Sequence, residues 1–150
     1  AGPQRLLLDV AHNPAGAEFL RSQIDQRGLG RRFVGVLGML ADKDAAGVAR
    51  ALDGRVTEWV CVSTTGPRGR PGAELAAALA PRRTRVAADL RSGLEGALSS
   101  SAGGDGILVL GSFNVVEQVR DLLSTGFADA VLQDAAARAA AGLAAGELPS

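Results

Sequence analysis

Tyrosine is absent from this 150-residue sequence, and aromatic residues make up only 3% of it. A core without large rings must pack Ala, Val, Leu and Ile closely, which suits a parallel sheet covered by helices. A single cysteine, Cys61, excludes an internal disulfide and a cysteine-based zinc site. Net charge is missing too, since 16 basic residues offset 16 acidic ones. With a pI near 6.8 and no basic run, the chain has no electrostatic footprint for DNA or RNA. No apolar stretch approaches the roughly 20 residues of a membrane helix. The opening AGPQR has no long apolar region of the secretory kind, so the expected compartment is the cytoplasm. Lysine occurs once, as Lys43 between Asp42 and Asp44, and histidine once, as His12. What is present, 47% hydrophobic and 21% charged residues, describes a folded globular domain.

Five short apolar runs read as strands: Leu6 to Val10, Phe33 to Leu37, Trp59 to Val62, Arg85 to Ala88 and Ile107 to Leu110. They are mostly too continuous for period-two alternation, which argues for burial on both faces. A segment with helical periodicity follows each. The first has Asn13 as a possible cap, Pro14 at the first helical position, and Ala17, Leu20 and Ile24 on one face before Gly28. The second has Asp42 or Asp44 as its cap and ends at Gly54; others begin near Pro71, Leu90 and Ser112. Right-handed crossovers then predict a doubly wound α/β domain, a mostly parallel open sheet with helices on both faces. The expected domain is 1–126, with an alanine-rich C-terminal helix or tail over 127–150.

In such a sheet ligands bind outside the carboxyl ends of the strands. The turns there are Asp9-Val10-Ala11-His12-Asn13-Pro14, Gly38-Met39-Leu40-Ala41-Asp42-Lys43-Asp44, Thr64-Thr65-Gly66-Pro67-Arg68-Gly69 and Gly111-Ser112-Phe113-Asn114, while strand four ends at Asp89. The only His and the only Lys therefore share one rim. Each cluster also has a plain structural explanation. Asp9 and Asn13 could be caps, Asp42-Lys43-Asp44 a cap with solvated charges, and GPRG a turn carrying a surface Arg68. Gly111-Ser112 before a helix offers backbone N–H groups to a carboxylate or phosphate. No GxxxxGK(S/T) loop exists, and Gly28-Leu29-Gly30 precedes a strand instead of following one. One His without an acidic cluster makes a nucleophilic triad or a catalytic metal site a poor reading.

These four turns, in order and spacing, resemble the C-terminal domain of bacterial folylpolyglutamate synthase, often bifunctional as dihydrofolate synthase, within the Mur ligase superfamily. The similarity runs from about Leu6 to Leu123. The resemblance implies a Rossmann-like domain of an ATP-dependent amide-bond ligase. A carboxylate of dihydropteroate, or the γ-carboxylate of a folate, is phosphorylated by ATP, and the amine of L-glutamate attacks the acyl phosphate. In that family the P-loop, the Mg2+ ligands and the pterin pocket belong to an N-terminal domain, the expected partner of this one.

By the same resemblance Asp9, His12 and Asn13 contact ATP, and His12, at the junction of nucleotide and glutamate, is the catalytic candidate. Ser112 lies on the glutamate side, as do Asp42, Lys43 and Asp44, whose role is divided between architecture and substrate contact. No metal ligand is expected among these residues. The family often has His-Thr where this chain has Asn114 and Val115, and His where it has Ala15. The isolated chain is expected to be inactive. The alternative is a stand-alone module that uses the same rim to hold a small anionic ligand without chemistry. If Asp9 serves the nucleotide, its replacement by alanine is expected to change stability by no more than about 1 kcal/mol.

Overall fold

The computed structural model describes residues 6–9, 11–29, 32–101 and 106–124. Strands and helices alternate: β1 (Leu6–Asp9), α1 (Pro14–Arg27), β2 (Phe33–Gly38), α2 (Ala45–Ala51), β3 (Val56–Cys61), α3 (Gly72–Ala78), β4 (Thr84–Val86), α4 (Leu90–Ser100), β5 (Gly106–Gly111) and α5 (Phe113–Ser124). The five strands form one sheet in the order β1-β5-β2-β3-β4, with every pairing parallel. The expected boundary at residue 126, the alanine-rich segment 127–150 and Val10 lie outside the described residues.

Local chemistry sets the helix ends. The Asn13 side chain accepts the Gly16 N–H at 2.7 Å, Pro14 follows at the first helical position, and Gly28 closes α1 with φ 61°. Ala17, Leu20 and Ile24 are its buried stripe, as their spacing predicts. For α2 the cap is Asp44, which accepts the Gly47 N–H at 2.9 Å. The helix ends at Ala51, so Gly54 serves the following turn and not the helix end. Asp89 caps α4 through the Ser92 N–H at 2.8 Å.

The connections step in one direction from β1 through β2 and β3 to β4, then return to β5. Right-handed crossovers therefore place α1, α2 and α3 on one face and α4 with α5 on the other, and the helices touch in those groups. Trp59, Phe33 and a run of Leu, Val and Ile side chains fill the space between the layers. The two halves of β3 differ. Val56 to Glu58 are half-buried or exposed, whereas Trp59 to Cys61 are buried. The expected strand thus begins three residues early, because its amino half lacks the continuous apolar signal. β4 comprises only Thr84–Val86 at the sheet edge, with Val86 half exposed.

Asp53 and Arg82, in turns at the amino ends of β3 and β4, form a bidentate pair at 2.8 and 2.9 Å. The Arg82 hydrogen bond holds the Asp53 carboxyl below the usual carboxylate range. This ion-paired end is opposite the carboxyl rim.

Cys61 is fully buried in β3, and desolvation pushes its thiol up to about 11. The thiol is therefore expected to resist a thiol-specific reagent at pH 8 in the native chain and to react once denaturant is added. Because the folded-state pKa is the higher one, its contribution to stability is complete at neutral pH and declines as pH rises through the range from about 9 to about 11. Stoichiometric native labelling at pH 8 would contradict the burial.

Candidate functional site

Parallel pairing in register brings the strand ends to one level. Asp9 pairs with Leu110, Leu110 with Leu37, and Gly111 with Gly38. At one strand spacing per step, the ends of β1 and β2 stand about 10 Å apart with β5 between them. The helix after β5 leaves on the face opposite to those after β1 and β2. The chain direction therefore switches at β5, and the crevice of an open α/β sheet falls at such a point. The turns carrying His12, Lys43 and Ser112 all start from these three strands.

Asp9 is the only buried charged residue among those described, 8% exposed, and its carboxylate accepts the Ala11 N–H at 2.9 Å. It therefore organises its own turn as well as standing at the rim. His12 is exposed beside it. Asn13, also exposed, uses its side-chain oxygen as the α1 cap. Its structural explanation is thus realised, and any ligand contact by Asn13 would come from its remaining amide group.

In the turn after β2 the acids are committed. Asp42 pairs with Arg68 at 3.0 Å across an exposed surface, and Asp44 caps α2. Lys43 is half-buried as a residue, and no hydrogen bond or ion pair engages its ammonium among the described residues. An ammonium whose acidic neighbours are engaged elsewhere is suited to receive an anionic group.

The segment after β3 packs on this turn. Its Thr64 and Arg70 ends bond to each other, and its Arg68 carbonyl accepts the Ala41 N–H at 2.9 Å. From the sequence Arg68 reads as a surface charge, and neither Thr64 nor Arg70 carries a signal. The GPRG pattern signals a turn, but nothing local signals what that turn rests on.

Gly111 has φ 115°, and its α-carbon lies against the Gly38 carbonyl. The Ser112 N–H donates to that carbonyl at 2.7 Å. Since this N–H is already bonded, a part for Ser112 at the rim rests on its side chain and not on its backbone donor. A cavity of about 240 Å³ opens here, lined by Ser63, Thr64, Asp89, Ser112 and Gln118 among others. The Ser92 backbone N–H bonded to Asp89 holds that carboxyl below its ordinary range, so this wall stays anionic. Among the described residues no group of three His, Cys, Asp or Glu could hold a metal ion, and no helix is long and apolar enough to cross a membrane.

The family profile "Mur ligase, glutamate ligase domain" matches residues 1–113. The dihydrofolate synthase/folylpolyglutamate synthase of Haemophilus influenzae is 35% identical over 119 residues, which are 75% of this chain and 27% of that protein. The crystal structure of the bifunctional enzyme from Yersinia pestis, complexed with AMPPNP and Mn, superposes with a TM-score of 0.71 at 38% identity, covering 79% of this chain and 28% of the other. FolC of Escherichia coli, in complex with DHPP and ADP, gives 0.74 at 31% identity, covering 83% and 30%. The chain thus spans just over a quarter of the length of these relatives. With its all-parallel sheet, its turns aligned on one rim and a match over residues 1–113, the chain belongs to the Mur ligase glutamate ligase domain family.

Proposed function

We propose that this chain is the C-terminal half-site of a cytoplasmic ATP-dependent ligase that joins L-glutamate to dihydropteroate, to folate γ-carboxylates, or to both. The observation that carries the reading is the rim itself. Asp9, His12, Lys43 and Ser112 stand at the ends of the three strands that flank the switch point, in a chain that matches glutamate ligases over most of its length. The AMPPNP and ADP bound by the relatives support ATP as the nucleotide.

In this reading Asp9 receives the ribose or adenine end of ATP, with Asn13 beside it. Lys43 and the Ser112 side chain face the glutamate, the ammonium taking a carboxylate. Asp42 and Asp44 hold the Lys43 turn. The glutamate amine attacks the carbonyl carbon of the acyl phosphate, an amide bond forms, and inorganic phosphate leaves with the electrons of the broken C–O bond. In this reading His12, between the two substrates, takes the proton that the amine releases. In this reading the Mg2+ site and the phosphate-cradling loop belong to an N-terminal domain.

Half of a cleft surrounds only part of a nucleotide and leaves the triphosphate without its main counter-charges, so ATP affinity of the chain alone should be millimolar or weaker. Titration calorimetry with AMPPNP is expected to show no measurable heat with residues 1–150 alone. The same chain continuous with its N-terminal domain should bind at least about a hundredfold more tightly. Equal affinity in both would contradict the half-site.

A further inference from the structure

The segment 64–70 is a loop closed on itself and docked on the turn after β2. Its ends are joined by the Thr64 N–H donating to the Arg70 carbonyl at 3.0 Å and the Arg70 N–H donating to the Thr64 hydroxyl at 2.8 Å. That same hydroxyl donates to the Met39 carbonyl at 3.2 Å. Arg70 then extends Nη1 to the Lys43 carbonyl at 3.4 Å, and the Ala41 N–H reaches the Arg68 carbonyl at 2.9 Å. Both termini of the 39–43 turn are thus fastened to one neighbouring loop.

Magnitudes decide which contact matters. Arg68 and Asp42 have side chains 62% and 48% exposed, and an ion pair so wetted adds little to rigidity. The Thr64 hydroxyl is half-buried, and its single hydrogen and one of its lone pairs serve the two turns at once. Valine has the same shape and can do neither. Serine can do both.

We infer that Thr64 is a positioning residue for Lys43. By bridging the Met39 carbonyl and the Arg70 backbone, it fixes the 39–43 turn so that the ammonium meets the carboxylate of the incoming amino acid. This rests on the reading of Lys43 as the glutamate-side cation. In this inference Thr64 acts through the turn, by way of the Met39 carbonyl and the Arg70 backbone.

The test uses Thr64→Val, Thr64→Ser and Lys43→Met in the enzyme that carries this chain behind its N-terminal domain, with full steady-state kinetics. Thr64→Val should raise the glutamate KM about five- to tenfold, the equivalent of a lost hydrogen bond, with kcat and the ATP KM within about twofold of wild type. Thr64→Ser should restore the glutamate KM. Hydrogen exchange on the same proteins keeps the result interpretable: the Ala41 and Lys43 amides should exchange faster in Thr64→Val, while those of β5 stay protected. A raised glutamate KM in Lys43→Met together with wild-type kinetics in Thr64→Val overturns the positioning role alone. An unchanged glutamate KM in Lys43→Met overturns the Lys43 reading and this inference with it. A fall in kcat with a parallel rise in both KM values in Thr64→Val, unrelieved in Thr64→Ser, assigns Thr64 to general structure and also overturns the inference.

Discussion

Gly111→Ala is expected to lower stability by about 3–5 kcal/mol, a large part of the roughly 5–15 kcal/mol that holds a typical domain together. Two effects add. At φ 115° an L side chain is strained, at about 1–3 kcal/mol. The new β-carbon would also fall inside the van der Waals envelope of the Gly38 carbonyl, which is fixed backbone at the middle of the sheet and cannot swing aside. Gly66→Ala separates the two effects, because Gly66 has φ 91° with nothing within 4 Å of the added carbon. It should show the strain alone, about 1–3 kcal/mol. Thermal unfolding of both variants reads the difference; equal midpoints would show that the Gly38–Gly111 approach is not tight. Relief of the clash would also break the Ser112 N–H bond to Gly38, so the same substitution should disturb the rim.

Asp9→Ala should raise the KM for ATP about tenfold or more, since a hydrogen bond to a charged group contributes about 1.5–3 kcal/mol. The structure revises the accompanying stability expectation. Asp9 is nearly buried and accepts the Ala11 N–H at 2.9 Å, so alanine orphans a turn donor and costs about 1–3 kcal/mol, more than the sequence suggested. Asp9→Asn keeps an acceptor for Ala11 while removing the charge. In the joined enzyme it should melt close to wild type and still show a raised ATP KM. A residue that only shapes its turn gives the opposite pattern: Asn silent in kinetics, and Ala shifted in thermal midpoint with an unchanged KM. His12→Ala, at an exposed position, should move kcat and leave the midpoint in place.

Much of this architecture is legible in the sequence because its signals are local. Runs such as Leu6 to Leu8 and Ile107 to Leu110 are continuous because both sheet faces are covered, and Asn13-Pro14 marks a helix start through a side-chain cap. Sequence offers Asp42 and Asp44 alike as the α2 cap, and the partner of Asp42 is not local. Asp44 directly precedes the helix and accepts the Gly47 N–H, while Asp42 is engaged by Arg68, 26 residues away. Strand order is equally silent, since the placement of β5 between β1 and β2 is set by pairing across the whole chain. The amino half of β3 is missed because Thr57 and Glu58 give no apolar signal. The rim residues are readable from the turns that follow each strand, but the Thr64 bridge behind Lys43 is visible only once those turns are packed together.

The most direct measurement is turnover in a hybrid in which residues 1–150 replace the matching C-terminal quarter of the Haemophilus influenzae relative, with ADP release followed in the presence and absence of L-glutamate. ADP formation is expected to depend on both folate acceptor and glutamate, to fall in the Asp9→Ala hybrid through a raised ATP KM, and to be absent from residues 1–150 alone. A cooperatively folded hybrid that releases no glutamate-dependent ADP, or ADP release by the isolated chain above blank, would contradict the half-site.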